Sequence, residues 1–200
     1  LDFEFTVSDL QIERLKFNKN MWRKRLDIKD EKDRIIKNHA KSKEMTMHRA
    51  VRLLAAKPRS IMELRERLLE KEWTNAAIVD EVLEKLKEYD YVNDEQFAKS
   101  FASSKLRQKP VGKRRLQQSL SQKKLEKETV EKAIEKVYET TPEDEVIELA
   151  IKKRLRQKGK PETREDSKKF YDYLMRQGFS YDLIGAKMRE IGRFEEEIDE

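Results

Sequence analysis

Nine basic residues and no acidic one stand between Phe97 and Leu125: Lys99, Lys105, Arg107, Lys109, Lys113, Arg114, Arg115, Lys123 and Lys124. In a chain with 40 carboxylates, a gap of 29 residues without one is the strongest charge segregation present. A second acid-free run spans Leu149 to Pro161 and carries Lys152, Lys153, Arg154, Arg156, Lys158 and Lys160. The stretch from Glu72 to Glu95 has the opposite sign, with eight acids against the two bases Lys85 and Lys87. A merely solvated surface mixes signs more evenly. Lys and Arg at this density, with Gln117, Gln118 and Ser121 beside them, suit the oxygens of phosphates or carboxylates. The helix start near Gly112 should add backbone donors and a favourable dipole. Contact of this kind is independent of sequence and sensitive to salt.

Other chemistry finds little support. His39 and His48 lie nine residues apart with no partner at i+4, and there is no cysteine. Nothing resembles a glycine-rich phosphate loop, a nucleophile elbow or a metal triad. No catalytic residue, metal site or cofactor is therefore expected. Trp73, Leu125 and Phe179 share one repeat position and read as core, because base stacking needs exposed rings. Tyr89, Tyr91 and Phe97 read as packing residues where two units meet.

The basic residues need a scaffold, and the apolar residues outline one. Leu64, Leu68, Trp73, Ile78 and Val82 recur 52 positions later as Leu116, Leu120, Leu125, Val130 and Ile134. They recur again 54 positions further on as Phe170, Leu174, Phe179, Ile184 and Met188. Three copies in constant register indicate tandem units. A leading helix precedes each set, at Ala50–Leu54, Phe97–Leu106 and Val146–Leu155. Capping signals divide each unit into three helices: Ser60 with Glu63, Thr74, Asn93 with Gln96, Thr141 with Pro142 at the first helical position, and Gly178 followed by Ser180. A unit of about 50 residues is marginal alone, but stacked neighbours share apolar contacts.

Composition agrees. The 200 residues are 43% charged and 36% hydrophobic, with five glycines and four prolines, as expected of long solvated helices. The absence of cysteine fits a reducing compartment, and no apolar run reaches membrane-spanning length. The chain begins at Leu1 rather than Met, which leaves room for residues upstream. Leu1, Phe3, Phe5 and Val7 alternate with polar residues and predict a short strand, with Leu15 and Phe17 a second. From about Asp27 the pattern becomes that of a charged helix or arm. The expected boundaries are 1–44 for the strand segment and arm, 45–93, 94–140 and 141–194 for the three repeats, and 195–200 for an acidic tail.

Several segments together resemble the RecX family of bacterial regulators of the RecA recombinase. They are Arg52-Leu53-Leu54, Arg59-Ser60 and Glu63-Leu64; Tyr91 to Ala98; Gly112, Arg115-Leu116 and Leu120; and Arg176 to Ser180. The resemblance covers about Met47 to Ile191. Family members often carry glycine before the apolar residue at the turn between second and third helices. Here Glu72 and Lys124 stand there in the first two units, so those turns should close with strain. The resemblance implies an all-α, elongated and curved array of three three-helix repeats. It also implies a non-enzymatic regulator that binds the groove of the RecA–single-stranded DNA filament; a cytoplasmic monomer is expected, with the oligomeric state left open by the sequence. Such a protein suppresses ATP hydrolysis, strand exchange and filament growth, and belongs to DNA repair, homologous recombination and the SOS response. The residues expected to touch DNA or filament are Lys105, Arg107, Lys109, Lys113, Arg114, Arg115, Lys123, Lys124, Lys152, Lys153, Arg154, Arg156 and Lys158. Two other readings remain: a general nucleic-acid-binding helical protein with no recombinase partner, and a protein-only scaffold.

Overall fold

A computed structural model describes residues 34–196, with side chains described as far as Ile191. The expected strands near Leu1–Val7 and Leu15–Phe17 lie outside the described residues, as do the first part of the arm and residues 197–200. Among the described residues there are nine helices and no strand. They are α1 His39–Ala56, α2 Ile61–Leu69, α3 Ala76–Glu88, α4 Asp94–Gln108, α5 Lys113–Ser121, α6 Lys127–Thr140, α7 Glu143–Lys158, α8 Arg164–Gln177 and α9 Tyr181–Glu196. Helices pack mainly within three consecutive sets of three, so the fold is a tandem array. Helix α1 runs unbroken past residues 44 and 45, and the first unit therefore takes in the end of the charged arm.

The caps follow the expected chemistry with local shifts. Ser60 accepts from the Glu63 amide at 3.1 Å, and Asn93 accepts from the Gln96 amide at 3.1 Å. The Glu63 carboxylate does not complete a capping box; it turns away to Lys123. Asn75, not Thr74, caps α3 by accepting from the Ile78 amide at 3.0 Å. Thr74 is instead buried beneath α1, its hydroxyl 3.0 Å from that of Thr46. Pro142 is the cap of α7 rather than its first helical residue. Gly178 ends α8 in the left-handed region at φ +91°, and the Ser180 hydroxyl then accepts from the Leu183 amide.

The recurring apolar positions form the core. Leu64, Leu68, Leu116, Leu120, Leu174 and Phe179 are fully buried. Removing a side chain of this kind from water is worth about 1.5–3 kcal/mol. Trp73 departs from the pattern: it is exposed, with the Lys71 ammonium 5.4 Å from its ring centre. The turns explain the difference. Lys124 and Gly178 both adopt positive φ, at 58° and 91°, whereas Glu72 does not. Lacking that left-handed residue, the first unit's turn leaves the indole at the surface, and the strain expected at Glu72 is absent. Tyr89 and Tyr91 are also exposed, edge-on to each other, rather than packed between units. Between them Asp90 has φ 55°, and the Tyr91 amide closes onto the Leu86 carbonyl at 2.9 Å, which directs both rings outward. Phe97 does pack as expected, half-buried and stacked on Phe101 with ring centres 6.0 Å apart.

The joints between units repeat as the units do. The second helix of each earlier unit starts against the turn between second and third helices of the next. At the first joint, the Ser60 hydroxyl donates to the Lys123 carbonyl at 2.5 Å. At the second, the Gly112 amide donates to the Gln177 carbonyl at 2.9 Å and the Arg114 amide to that of Gly178 at 3.2 Å. A carboxylate from the next unit caps each of these second helices: Asp94 accepts from the Ile61 amide and Glu143 from the Lys113 amide, both at 2.9 Å. Units two and three share one continuous apolar core, while unit one has its own. The first joint is correspondingly polar. Within unit one the equivalent turn is filled from upstream, where the Arg34 guanidinium donates to the carbonyls of Leu69, Lys71 and Thr74.

Candidate polyanion interface

The helix start at Gly112 is not the open anion site expected of it. Three amides that could receive a phosphate already donate within the protein, to Gln177, Glu143 and Gly178. Glu143, from the start of α7, occupies the place of an external anion. The backbones meet so closely here that a Cβ on Gly112 would lie 2.4 Å from the carbonyl of Gly178.

Several of the candidate cations also hold the array together. Lys123 is mostly buried, pairs with Glu63 at 2.9 Å and lies 5.6 Å from the centre of the Phe101 ring. Lys124 pairs with Glu66. Both side chains of the second unit thus reach back to α2 of the first, and neither is a free cation. The Arg115 guanidinium donates to the Arg176 carbonyl at 2.8 Å and to Gln177 Oε1 at 3.2 Å. Lys113 lies 3.9 Å from the Glu143 carboxylate and 5.5 Å from the centre of the Tyr138 ring. Arg154 covers the Tyr173 ring at 5.0 Å, with its Nε buried and without a hydrogen-bond partner among the described residues.

What remains is a cationic cluster across the seam between units two and three. Lys109, just beyond α4, has Arg115 of α5, Lys153 of α7 and Lys105 of α4 near enough to repel its charge. Burial first, and then these three cations, hold its ammonium below the usual lysine value. Neither Lys105, Lys109 nor Lys153 has a carboxylate within ion-pair distance among the described residues. Clustered like charge with no counter-charge is unfavourable in the free protein and is relieved by a bound anion. Arg114, Lys152, Arg156 and Lys158 likewise lack ion pairs among the described residues and extend the field along α5 and α7.

The helical phase divides the remaining candidates. Lys105 and Arg107 leave α4 about 200° apart at roughly 100° per residue. Lys105 turns to the seam. Arg107 turns to the opposite side, where it lines clefts between successive units. Sequence reasoning placed both on one surface. It also passed over Arg59, whose Nε is buried without a partner, and Lys136, which lines a cleft from an otherwise acid-rich helix. Neither stands in a charge run, so the charge pattern did not mark them. Among the described residues no group of His, Cys, Asp and Glu could hold a metal, and no helix is long and apolar enough to cross a membrane.

Comparison with known proteins gives three family models matching in chain order. They are the first three-helix domain of RecX over residues 47–86, the second over 93–134 and the third over 142–188. The Regulatory protein RecX of Caldanaerobacter subterraneus subsp. tengcongensis is 34% identical over 158 residues, covering 79% of this chain and 76% of that protein. That of Clostridium botulinum (strain Alaska E43 / Type E3) is 27% identical over 198 residues, covering 97% and 88%. That of Bacillus subtilis (strain 168) is 30% identical over 146 residues, and the chain spans 54% of its length. The crystal structure of RecX from Lactobacillus salivarius superposes with a TM-score of 0.68 at 22% identity, covering 76% of this chain and 98% of that one. At that identity the likeness speaks for the fold.

Proposed function

The chain belongs to the RecX family, and on that premise we propose that it is a non-enzymatic regulator of the RecA–single-stranded DNA filament. It binds along the filament, with its cationic seam toward the DNA phosphates, and restrains the motions that ATP hydrolysis, strand exchange and filament growth require. The observation that carries this reading is the uncompensated cluster of Lys105, Lys109, Arg115 and Lys153, which lies where two units meet. A surface that only needs solvation gains nothing from like charges held that close, whereas a polyanion binder does. The relatives' printed name, regulatory protein, agrees with a protein that acts by occupancy.

The test is ATP hydrolysis by the cognate RecA on single-stranded DNA with this protein titrated in. Inhibition well below one molecule per RecA protomer is expected. Reversing Lys109 and Lys153 to Glu should raise the concentration for half-inhibition at least tenfold in a correctly folded protein. Lys113 and Arg115 are poor choices for reversal, because each also holds the joint between units. The competing reading, general nucleic-acid binding, predicts tight oligonucleotide binding without RecA and no effect on hydrolysis at intact DNA coverage. Such a result would sink the recombinase reading.

A further inference from the structure

Two clefts flank α4, and they are equivalents under the sequence repeat. The first, about 610 Å³, opens between units one and two and contains Leu54, Pro58 and Val92. The second, about 560 Å³, opens between units two and three and contains Leu106, Pro110 and Val146. Leu54 and Leu106, and Pro58 and Pro110, are 52 positions apart, the offset that relates the first two cores, while Phe97 of the first cleft and Val146 of the second hold the same place in the leading helices of units two and three. Arg107 lines both clefts and forms the ridge between them. The array thus presents the same receptacle twice, with Arg107 directed away from Lys105 on α4.

Each receptacle is apolar inside and basic at the rim. The first has the stacked pair Phe97 and Phe101, with Arg59 beside them and its Nε buried without a partner among the described residues. Lys57, Arg59 and Arg107 line it against one carboxylate, Asp90, beside Lys123, whose charge is already met by Glu63. The second is aliphatic, with Leu149 more than half exposed at its edge, and Lys99, Arg107 and Lys136 line it with no carboxylate. That combination favours an occupant carrying both negative charge and large apolar groups.

A nucleobase fits poorly. Base stacking needs a free ring face. Phe101 has Phe97 against it and the Lys123 ammonium 5.6 Å from its ring centre. The second cleft has no aromatic ring among its lining residues. We infer that the paired clefts dock an acidic polypeptide segment of the partner, which lays one apolar side chain into each cleft and its carboxylates along Arg107 and the neighbouring cations. The clefts are separated by about one helix diameter, ~10–12 Å, which an extended segment spans in about three residues. The inference rests on the filament reading for the partner's identity, and assigns the clefts around Arg107 to protein and the cluster around Lys109 to DNA.

The test uses the full chain with cognate RecA filaments on oligo-dT. With p-benzoylphenylalanine in place of Ser100, which lines the first cleft from an exposed position, photolysis should join the chain to the recombinase polypeptide. In place of Lys152, beside the seam, the same group should join it to the oligonucleotide. Separately, Arg107→Glu should raise the concentration for half-inhibition at least tenfold and leave the protein's own affinity for oligo-dT within twofold. Crosslinking of position 100 to DNA, or a loss of oligo-dT affinity in Arg107→Glu, would overturn the inference and leave the filament reading standing. So would unchanged inhibition by Arg107→Glu. No inhibition by the unaltered protein, and no crosslink from either position, would overturn both.

Discussion

Substituting Gly112 with alanine adds one methyl group, and the structure says where it goes. The backbone at Gly112 has φ −78°, which alanine adopts freely, so the cost is not conformational. The new Cβ would lie 2.4 Å from the carbonyl carbon and oxygen of Gly178 and 2.5 Å from the amide nitrogen of Phe179. Ordinary contact needs about 1 Å more. The neighbours are backbone atoms at the edge of a filled core, so units two and three must move apart. An opening of that size carries the Gly112–Gln177 and Arg114–Gly178 hydrogen bonds, at 2.9 and 3.2 Å, beyond bonding distance. Each loss costs about 1 kcal/mol net, and the overpacking about 1–3 kcal/mol. Partial relaxation keeps the expected sum near 3 kcal/mol, a large share of the ~5–15 kcal/mol typical of a folded protein. Gly185→Ala provides the matched control. That glycine lies within α9, its added Cβ meets nothing within 4 Å, and alanine there should stabilise by about 0.5–1 kcal/mol. Urea unfolding followed by circular dichroism reads both variants, and amide exchange at residues 111–116 localises the effect. If Gly112→Ala unfolds within 0.5 kcal/mol of the parent with unchanged protection there, the account of this joint is wrong.

Four further outcomes follow from the same geometry. Tyr138→Phe removes the hydroxyl that donates to the Val111 carbonyl at 2.6 Å in a buried setting, and should cost about 1–3 kcal/mol in urea unfolding. Asp94→Ala leaves the Ile61 amide without its acceptor and should cost about 1 kcal/mol, with exchange accelerated at the start of α2. Lys187 is held above the usual lysine value, chiefly by its hydrogen bond to Glu148, with Glu190 adding to it. Its contribution is therefore complete below the unfolded-state value near 10.5 and lost as pH rises through the higher folded-state value, so Lys187→Met should flatten the alkaline limb of the stability profile. Lys109 has the opposite shift: oligonucleotide affinity should begin to fall at a lower pH than the other lysines would give, while Lys109→Arg should move that fall upward.

The fold was legible because its signal is periodic. Five apolar positions at offsets of 52 and 54 specify three copies of one packing arrangement, and most of them are buried. Failures came where a position's role depends on something other than its place in the period. Trp73 occupies the slot of Phe179 but follows a turn without a left-handed residue, and the ring emerges. Thr74 and Asn75 are both competent caps, and a neighbouring helix decided between them by covering Thr74. The basic run was legible as charge, but not as direction. Lys123 and Lys124 reach back to Glu63 and Glu66 across a joint of some 60 residues' separation, and a charge count sees only two more cations.

That separation of structural from available cations follows from how the array is built. Each joint buries the start of a helix, and such a start needs an acceptor for its amides. The next unit supplies one as Asp94 or Glu143. At the polar first joint Lys123 and Lys124 answer Glu63 and Glu66. At the second joint the glycine-to-glycine contact brings the backbones together instead, and Arg115 bonds a carbonyl and an amide oxygen, not a carboxylate. Its positive charge is therefore not neutralised, and it sits with Lys109 and Lys153 at the seam. The closeness that excludes a methyl group from Gly112 is thus what concentrates charge there. One consequence can be checked directly. Gly112→Ala, by parting the two units, should lower the salt dependence of oligonucleotide binding, because cations held farther apart neutralise fewer phosphates together. Lys124→Gly, which relieves the positive φ at the first joint and removes its ion pair with Glu66, should leave that slope unchanged. Equal slopes for Gly112→Ala and the parent would mean that the seam does not organise the phosphate contact.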